Sequence, residues 1–389
     1  MQNSKVALQV CKDYVVDKVK RILEQEFDYL GGITKFIKPN SKVLIKPDLY
    51  MQTEPNKAKT THPNIISALT ELVEKAGAEC IIADCPKGNF NQANLDKMYS
   101  KTQMLEASND GYAVLNFNDA ISIIHNKNGE SERKFYVMDA INDVDVIINV
   151  GKFRCDKNLG LIGCSQNIFG ILPDDMKKLV KNRCFTLNKY YNYIIDLFES
   201  IEHKIILNIL DGVVSCESND DPRILNTILM GENPYEVDSV ALKIINQDPH
   251  DNLLLENASR RGKLNPSIST QIDIQPLILT DYNYPNLKYG ATIKNGSASK
   301  FRHEYNRTQK RAIICPKNCK GCKTCINICP MGAISMKVGE LGEEYAVIDY
   351  DKCINCLQCV KNCPYQIITT KTPLKYKLLT KNIDKKIKK

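Results

Sequence analysis

The chain has 389 residues, 43% of them hydrophobic and 25% charged, the balance of a soluble globular protein long enough for two or three domains. No apolar run approaches the roughly 18 residues of a membrane span, and Met1–Val10 has no apolar stretch of secretory length, so a cytoplasmic protein is expected. The formal net charge of +8 is a tail property, because 371–389 holds eight Lys and one Asp. The remainder is close to neutral and gives no sign of a body-wide nucleic-acid surface.

In chain order, Val43-Leu44-Ile45 reads as a strand ending at Lys46-Pro47-Asp48. Residues 65–76 read as a helix with Ile65, Ile66, Leu69, Leu72 and Val73 on one face, stopped by Gly77. Strands follow at 80–83, closing at Asp84-Cys85-Pro86, at 144–150, and at 205–210 before Asp211-Gly212. Residues 235–245 are helical in pattern. This alternation predicts an α/β domain with a mainly parallel sheet. Ligands of such sheets sit beyond the carboxyl ends of the strands, which singles out Lys46, Asp48, Asp84, Lys152 and Asp211. The structural alternative for each is a turn or helix-cap role.

Residues 286–311 are polar and irregular and read as a connection. The expected domains are 1–305, a ferredoxin-type module at 306–370, and a basic tail at 371–389 expected to be disordered.

Of sixteen Cys, nine lie between Cys315 and Cys363. Cys319-x2-Cys322-x2-Cys325-x3-Cys329-Pro330 and Cys353-x2-Cys356-x2-Cys359-x3-Cys363-Pro364 each repeat the bacterial ferredoxin run in full. Three thiolates on a tight loop each reach one iron of a cube, while the fourth lies where the chain has left that cube. The expected assignment is therefore crossed. Cys319, Cys322, Cys325 and Cys363 hold one [4Fe–4S] cluster, and Cys353, Cys356, Cys359 and Cys329 hold the other.

Residues 333–338 and 345–348 read as a hairpin turning at Gly339 and Gly342, its apolar side chains shielding the clusters. Zinc ribbons do not use this x2, x2, x3 progression. A radical-SAM reading of Cys315-x3-Cys319-x2-Cys322 strands Cys325 and Cys329, and leaves Cys315 as an extra thiol beside the loop. The other Cys, from Cys11 to Cys216, are expected as small core residues, with Cys155 and Cys164 set apart by their Gly-rich loop. No dinucleotide fingerprint, P-loop or zinc-protease motif occurs.

Several segments together resemble the DUF362 family, a domain of unknown function often fused to a C-terminal double-cluster ferredoxin. They are Lys46-Pro47-Asp48-Leu49, Thr60-Thr61-His62-Pro63, Ile148-Asn149-Val150-Gly151-Lys152, Asn167-Ile168-Phe169-Gly170, Leu210-Asp211-Gly212-Val213-Val214 and 233–241. The resemblance implies the architecture and supplies no reaction. This chain departs from the family pattern at Asp48 (usually Asn), at 83–88 (usually GDSPGG), at Asp156 (His in KTHG) and at Gln166 (Lys).

The expected function is that of an anaerobic iron–sulfur oxidoreductase passing low-potential electrons to or from a pocket lined by Lys46, His62, Asp84, Lys152, Asn167, Asp211 and Asp238. Lys46 and Lys152 are candidates to hold an anionic group, and Asp84 or His62 to handle protons. For His62 a helix-start role before Pro63 is the structural alternative. The rival reading is a carrier that only docks a redox partner. The expected partners are a redox protein or a small-molecule electron acceptor or donor. The sequence names no further organic cofactor. Nucleic-acid binding through the tail lysines Lys385, Lys386, Lys388 and Lys389 is the third and least expected reading.

Overall fold

The computed structural model describes residues 3–108, 111–184, 186–287, 311–329, 333–339, 342–350, 353 and 357–371. The polar connection beyond Leu287, the tail beyond Lys371 and Cys356 lie outside the described residues. The chain divides into two compact units, Met1–Ile293 and Lys294–Lys389.

The first unit is built on a nine-stranded sheet. Its strands are β1 (Ser4–Val10), β2 (Lys42–Pro47), β3 (Glu79–Ile82), β4 (Val114–Leu115), β7 (Val146–Asp156), β8 (Gly160–Leu161), β9 (Ile205–Cys216), β10 (Pro222–Gly231) and β11 (Ile268–Thr270). A separate hairpin joins β5 (Ile121–His125) to β6 (Lys134–Met138). The order across the sheet is β11-β1-β10-β9-β7-β2-β3-β4, with β8 folded back on β7. The run β9-β7-β2-β3-β4 is parallel throughout, and β10 is antiparallel to both of its neighbours. The expected α/β class with a mainly parallel sheet is the one observed.

β7 carries the centre and is buried along nearly its whole length, as a strand covered on both faces must be. It continues past the predicted Val150 to Asp156. Gly151 permits this course, since a Cβ there would lie 2.7 Å from the Gly163 carbonyl oxygen. The helix Pro63–Lys75 buries Ile65, Ile66, Leu69, Leu72 and Val73, the stripe its periodicity predicts. Behind it Gly77 adopts φ +78° and its N–H closes on the Glu74 carbonyl.

The second unit pairs β12 (Arg311–Ile314) with β15 (Ile368–Lys371) and β13 (Ile334–Val338) with β14 (Glu344–Ile348), both antiparallel. Its core joins Ala312, Cys325, Ile334, Ala346, Cys359 and Ile368. The hairpin forms as predicted, but Val338 stands 66% exposed and shields nothing.

Candidate functional site

In the C-terminal unit the two halves repeat each other's backbone. Lys323 and Leu357, each following the second Cys of its run, are left-handed at φ +58° and +56°. Each precedes a four-residue helix, Thr324–Asn327 or Gln358–Lys361. The third thiols, Cys325 and Cys359, are thereby both driven into the core.

Cys319, Cys322, Cys325 and Cys363 line one cavity, together with Ile314, Met336, Ala346 and Ile367. Three of these thiols come from the first run and one from the second. Among the described residues no three His, Cys, Asp or Glu converge on a single-ion position. The four thiols stand instead around a cavity wall, as a cube with one thiolate per iron requires.

The Ala346 N–H donates to Cys319 Sγ at 3.5 Å and the Ala333 N–H to Cys329 Sγ at 3.3 Å. Bonds of this kind tune cluster potential. The Thr324 hydroxyl and N–H hold the Cys322 thiol below its ordinary pKa, favouring the ligating thiolate. The donor set thus fits an iron–sulfur cube. Cys329 and Cys359 pack on the same apolar core, whereas their expected partner Cys356 is outside the described residues. Cys315 is exposed and adds no wall to the cavity.

In the α/β unit the candidate residues occupy two buried networks. Lys46, Asn149 and Asn208 are register neighbours on β2, β7 and β9. Lys46 Nζ meets Asp84 Oδ1 at 2.9 Å and donates to Asn167 Oδ1 at 3.1 Å. Asn167 Nδ2 donates to Asn149 Oδ1, Asn149 Nδ2 to Asn208 Oδ1, both at 2.8 Å, and Asn208 Nδ2 to the Glu232 carbonyl at 2.9 Å. A polar thread therefore crosses the core with its amides satisfied, which makes its burial tolerable. Asp84 also accepts from the Leu49 and Cys85 N–H groups.

The second network centres on Asp211, opposite Lys152 in the β7–β9 register. Asp211 takes Lys152 Nζ at 2.8 Å, the Tyr14 hydroxyl at 2.9 Å and the His62 N–H at 3.0 Å. The Tyr14 and His62 rings stack with centroids 3.6 Å apart. His62 caps the helix Pro63–Lys75 by accepting from the Asn64 N–H. Desolvation, aided by the nearby Lys152 charge, pushes the imidazole pKa down to about 4, so His62 is neutral at pH 7.

Asp238 serves as a cap from a distance. Its carboxylate accepts from the Cys164 and Ser165 N–H groups and the Ser165 hydroxyl at the start of the helix Gly163–Asn167. Burial raises it to about 6 in spite of these donors.

One pocket opens where β2 and β7 end, walled by Asp48, Tyr50, Arg154, Gln166, Phe169 and Lys177 among others. Of the residues singled out from the sequence, the strand-end Asp48 and the expected pocket residue Asn167 reach it. Lys46 and Lys152, expected to hold an anion, are fully buried and each closed on a carboxylate. Asp84, His62, Asp211 and Asp238 likewise stay out of the lining. Arg154 pairs with Asp48 at 2.7 Å, while Lys177 donates to the Cys85 carbonyl. Three departures from the family pattern, Asp48, Asp156 and Gln166, lie in this wall. Cys155 and Cys164 are buried, and desolvation raises both thiols above the ordinary range, as for inert core thiols.

The family model for a domain of unknown function, DUF362, matches residues 43–243. This chain belongs to the DUF362 family. A 4Fe-4S dicluster domain matches residues 318–367, so the second unit of this DUF362 protein is an iron–sulfur domain of the ferredoxin type. A curated relative, a thylakoid-associated protein (sll1697) of Synechocystis sp., is 26% identical over 273 residues, covering 67% of this chain and 80% of its own. A solved structure, the lactate racemase apoprotein from Thermoanaerobacterium thermosaccharolyticum, aligns with TM-score 0.39 and 15% identity. That alignment covers 63% of this chain, which spans 57% of the length of that structure. Among the described residues no helix is long and apolar enough to cross a membrane.

Sequence reasoning missed the pocket's cations and its Tyr50. Tyr50, Arg154, Lys177 and Lys181 carry no motif. The one available signal is the i, i+4 spacing of Lys177 and Lys181. It missed Tyr14 as well, which comes from before the first helix.

Proposed function

We propose that this DUF362 protein is a cytoplasmic, oxygen-sensitive redox protein that holds two [4Fe–4S] clusters and exchanges electrons with a ligand in the pocket of its α/β unit. The observation that carries this reading is the gathering of Cys363 with Cys319, Cys322 and Cys325 around one cavity. By the repeat of the run, Cys353, Cys356, Cys359 and Cys329 would hold the second cluster. When bound, such clusters supply one-electron transfer. The chain's own part is to exclude water with Ile314, Met336 and Ile367 and to direct amide N–H groups at Cys319 and Cys329. On the α/β side the buried pairs Lys46–Asp84 and Lys152–Asp211 hold the sheet's carboxyl ends in place. The test is anaerobic purification with iron and sulfide analysis, expected at about eight of each per chain, followed by reductive titration with candidate acceptors.

A second reading is a non-catalytic carrier that docks a redox protein, favoured by the buried charges being closed on one another. Turnover lost in Lys181→Gln with both clusters intact supports the enzyme. Transfer to a partner protein that survives every pocket substitution and stops only with cluster loss supports the carrier.

A further inference from the structure

The pocket between the ends of β2 and β7 carries an uneven set of charges. Asp48 is taken by Arg154. Asp156 accepts from the N–H groups of its own turn, Asn158 at 2.7 Å and Leu159 at 3.1 Å. Lys177 and Lys181, one helical turn apart on the helix Asp174–Arg183, line the pocket without a carboxylate partner among the described residues. Both ammoniums flank the Tyr50 ring, at 4.6 and 5.6 Å from its centroid. Lys177 is 2% exposed and donates to the Cys85 carbonyl, while Asp84 and Asp174 act on it through space without an ion pair among the described residues. A buried ammonium without a carboxylate in contact is costly unless something anionic joins it.

A second observation is independent of these cations. Gln166 is 4% exposed and lines the same pocket. Its Nε2 donates to the Leu159 and Leu161 carbonyls, which fixes the amide's orientation. Its Oε1 is left buried with no hydrogen-bond partner among the described residues. An orphaned acceptor of this kind in a pocket wall points to a ligand donor.

We infer that this pocket binds a small oxyanion, a carboxylate or a phosphate, with its charged head at Lys177 and Lys181 and an O–H or N–H donor meeting Gln166 Oε1. The flanking Leu159, Ile162 and Phe169 admit only a compact apolar body beside the head. This deepens the redox reading, for it names the substrate class of that same pocket. Binding is measured without turnover, so a failed titration and a failed cluster assembly are separate results.

The experiment is calorimetric titration of the anaerobically purified full chain with inorganic phosphate, acetate and glycolate. Lys181→Gln and Lys157→Gln are run beside the wild type, Lys157 being an exposed neighbour outside the lining. The expected result is saturable binding of at least one anion, weakened about tenfold or more by Lys181→Gln, which corresponds to about 1.4 kcal/mol, and less than about twofold by Lys157→Gln. Preference for phosphate identifies a phosphate head. Preference for glycolate over acetate identifies a carboxylate head with the donor that Gln166 requires. Absence of binding by all three tighter than about 50 mM, or equal weakening by both substitutions, overturns the inference.

Discussion

Lys46 and Asp84 face each other at 2.9 Å with both side chains essentially closed to solvent. They come from the ends of the adjacent parallel strands β2 and β3 and together support the floor of the pocket at Gly170, where a Cβ would run into both. Removing one partner of such a pair leaves a bare buried charge, whereas removing both leaves only a packing problem. Lys46→Met is therefore expected to cost about 3–5 kcal/mol in denaturant unfolding. Lys46→Met with Asp84→Leu should recover at least half of that loss, and a double variant as unstable as the single one would contradict this account.

Gly170→Ala acts on the same floor from the opposite side. The added methyl has no room, so an overpacking loss of about 1–3 kcal/mol is expected, read as a lowered midpoint in denaturant unfolding. An unchanged midpoint would mean that the floor can give way.

His62 is held neutral, its pKa lowered from 6.5 to about 4. A group whose folded pKa is depressed stabilises fully above its unfolded pKa and loses that contribution as pH falls through the folded value. The acid limb of the stability profile should therefore include a loss of roughly 2–3 kcal/mol between pH 6.5 and 4. His62→Asn retains a capping oxygen for the Asn64 N–H and should flatten that limb relative to wild type. A limb of unchanged steepness would show that the imidazole does not titrate there.

Glu26 gives the opposite sign. Its side chain is fully buried, neither carboxylate oxygen has a hydrogen-bond partner among the described residues, and burial lifts its pKa well above 4.5. Its contribution is present below about pH 4.5 and is lost as pH rises toward the folded pKa, with a slope of up to about 1.4 kcal/mol per pH unit. Glu26→Met should remove this slope and leave the protein more stable than wild type at pH 8. Chemical denaturation from pH 5 to 8 measures both effects.

The sheet's parallel core was legible because Val43-Leu44-Ile45, the strand before Val150 and the Ile205–Leu210 run are largely buried and read as mostly apolar stretches. β10 was not, for reasons visible in its backbone. Its register slips between Ile224 and Thr227 around a left-handed Asn226, and Ile224 is 63% exposed, so no clean alternation survives. Strand-end position correctly flagged Lys46 and Lys152 as unusual. It does not reveal which way a side chain turns, and the carboxylate next to each in the sheet, Asp84 or Asp211, draws it inward. The reverse held for Lys177 and Lys181, whose charged surroundings in sequence hide a buried helix face. The cysteine runs were legible because cluster ligation dictates their spacing, and the same spacing predicts that Cys363 belongs with the first run.

Crossed ligation is tested most directly by counting clusters in Cys319→Ala, Cys363→Ala and the double variant, each purified without oxygen. Iron and sulfide analysis is combined with electron paramagnetic resonance of the reduced protein. If both residues serve the same cube, the double variant keeps the second cluster, with about four irons per chain, and is no poorer in clusters than either single variant. Loss of both clusters in the double variant, or Cys363→Ala carrying a full complement of about eight irons, would contradict the assignment on which the redox reading rests.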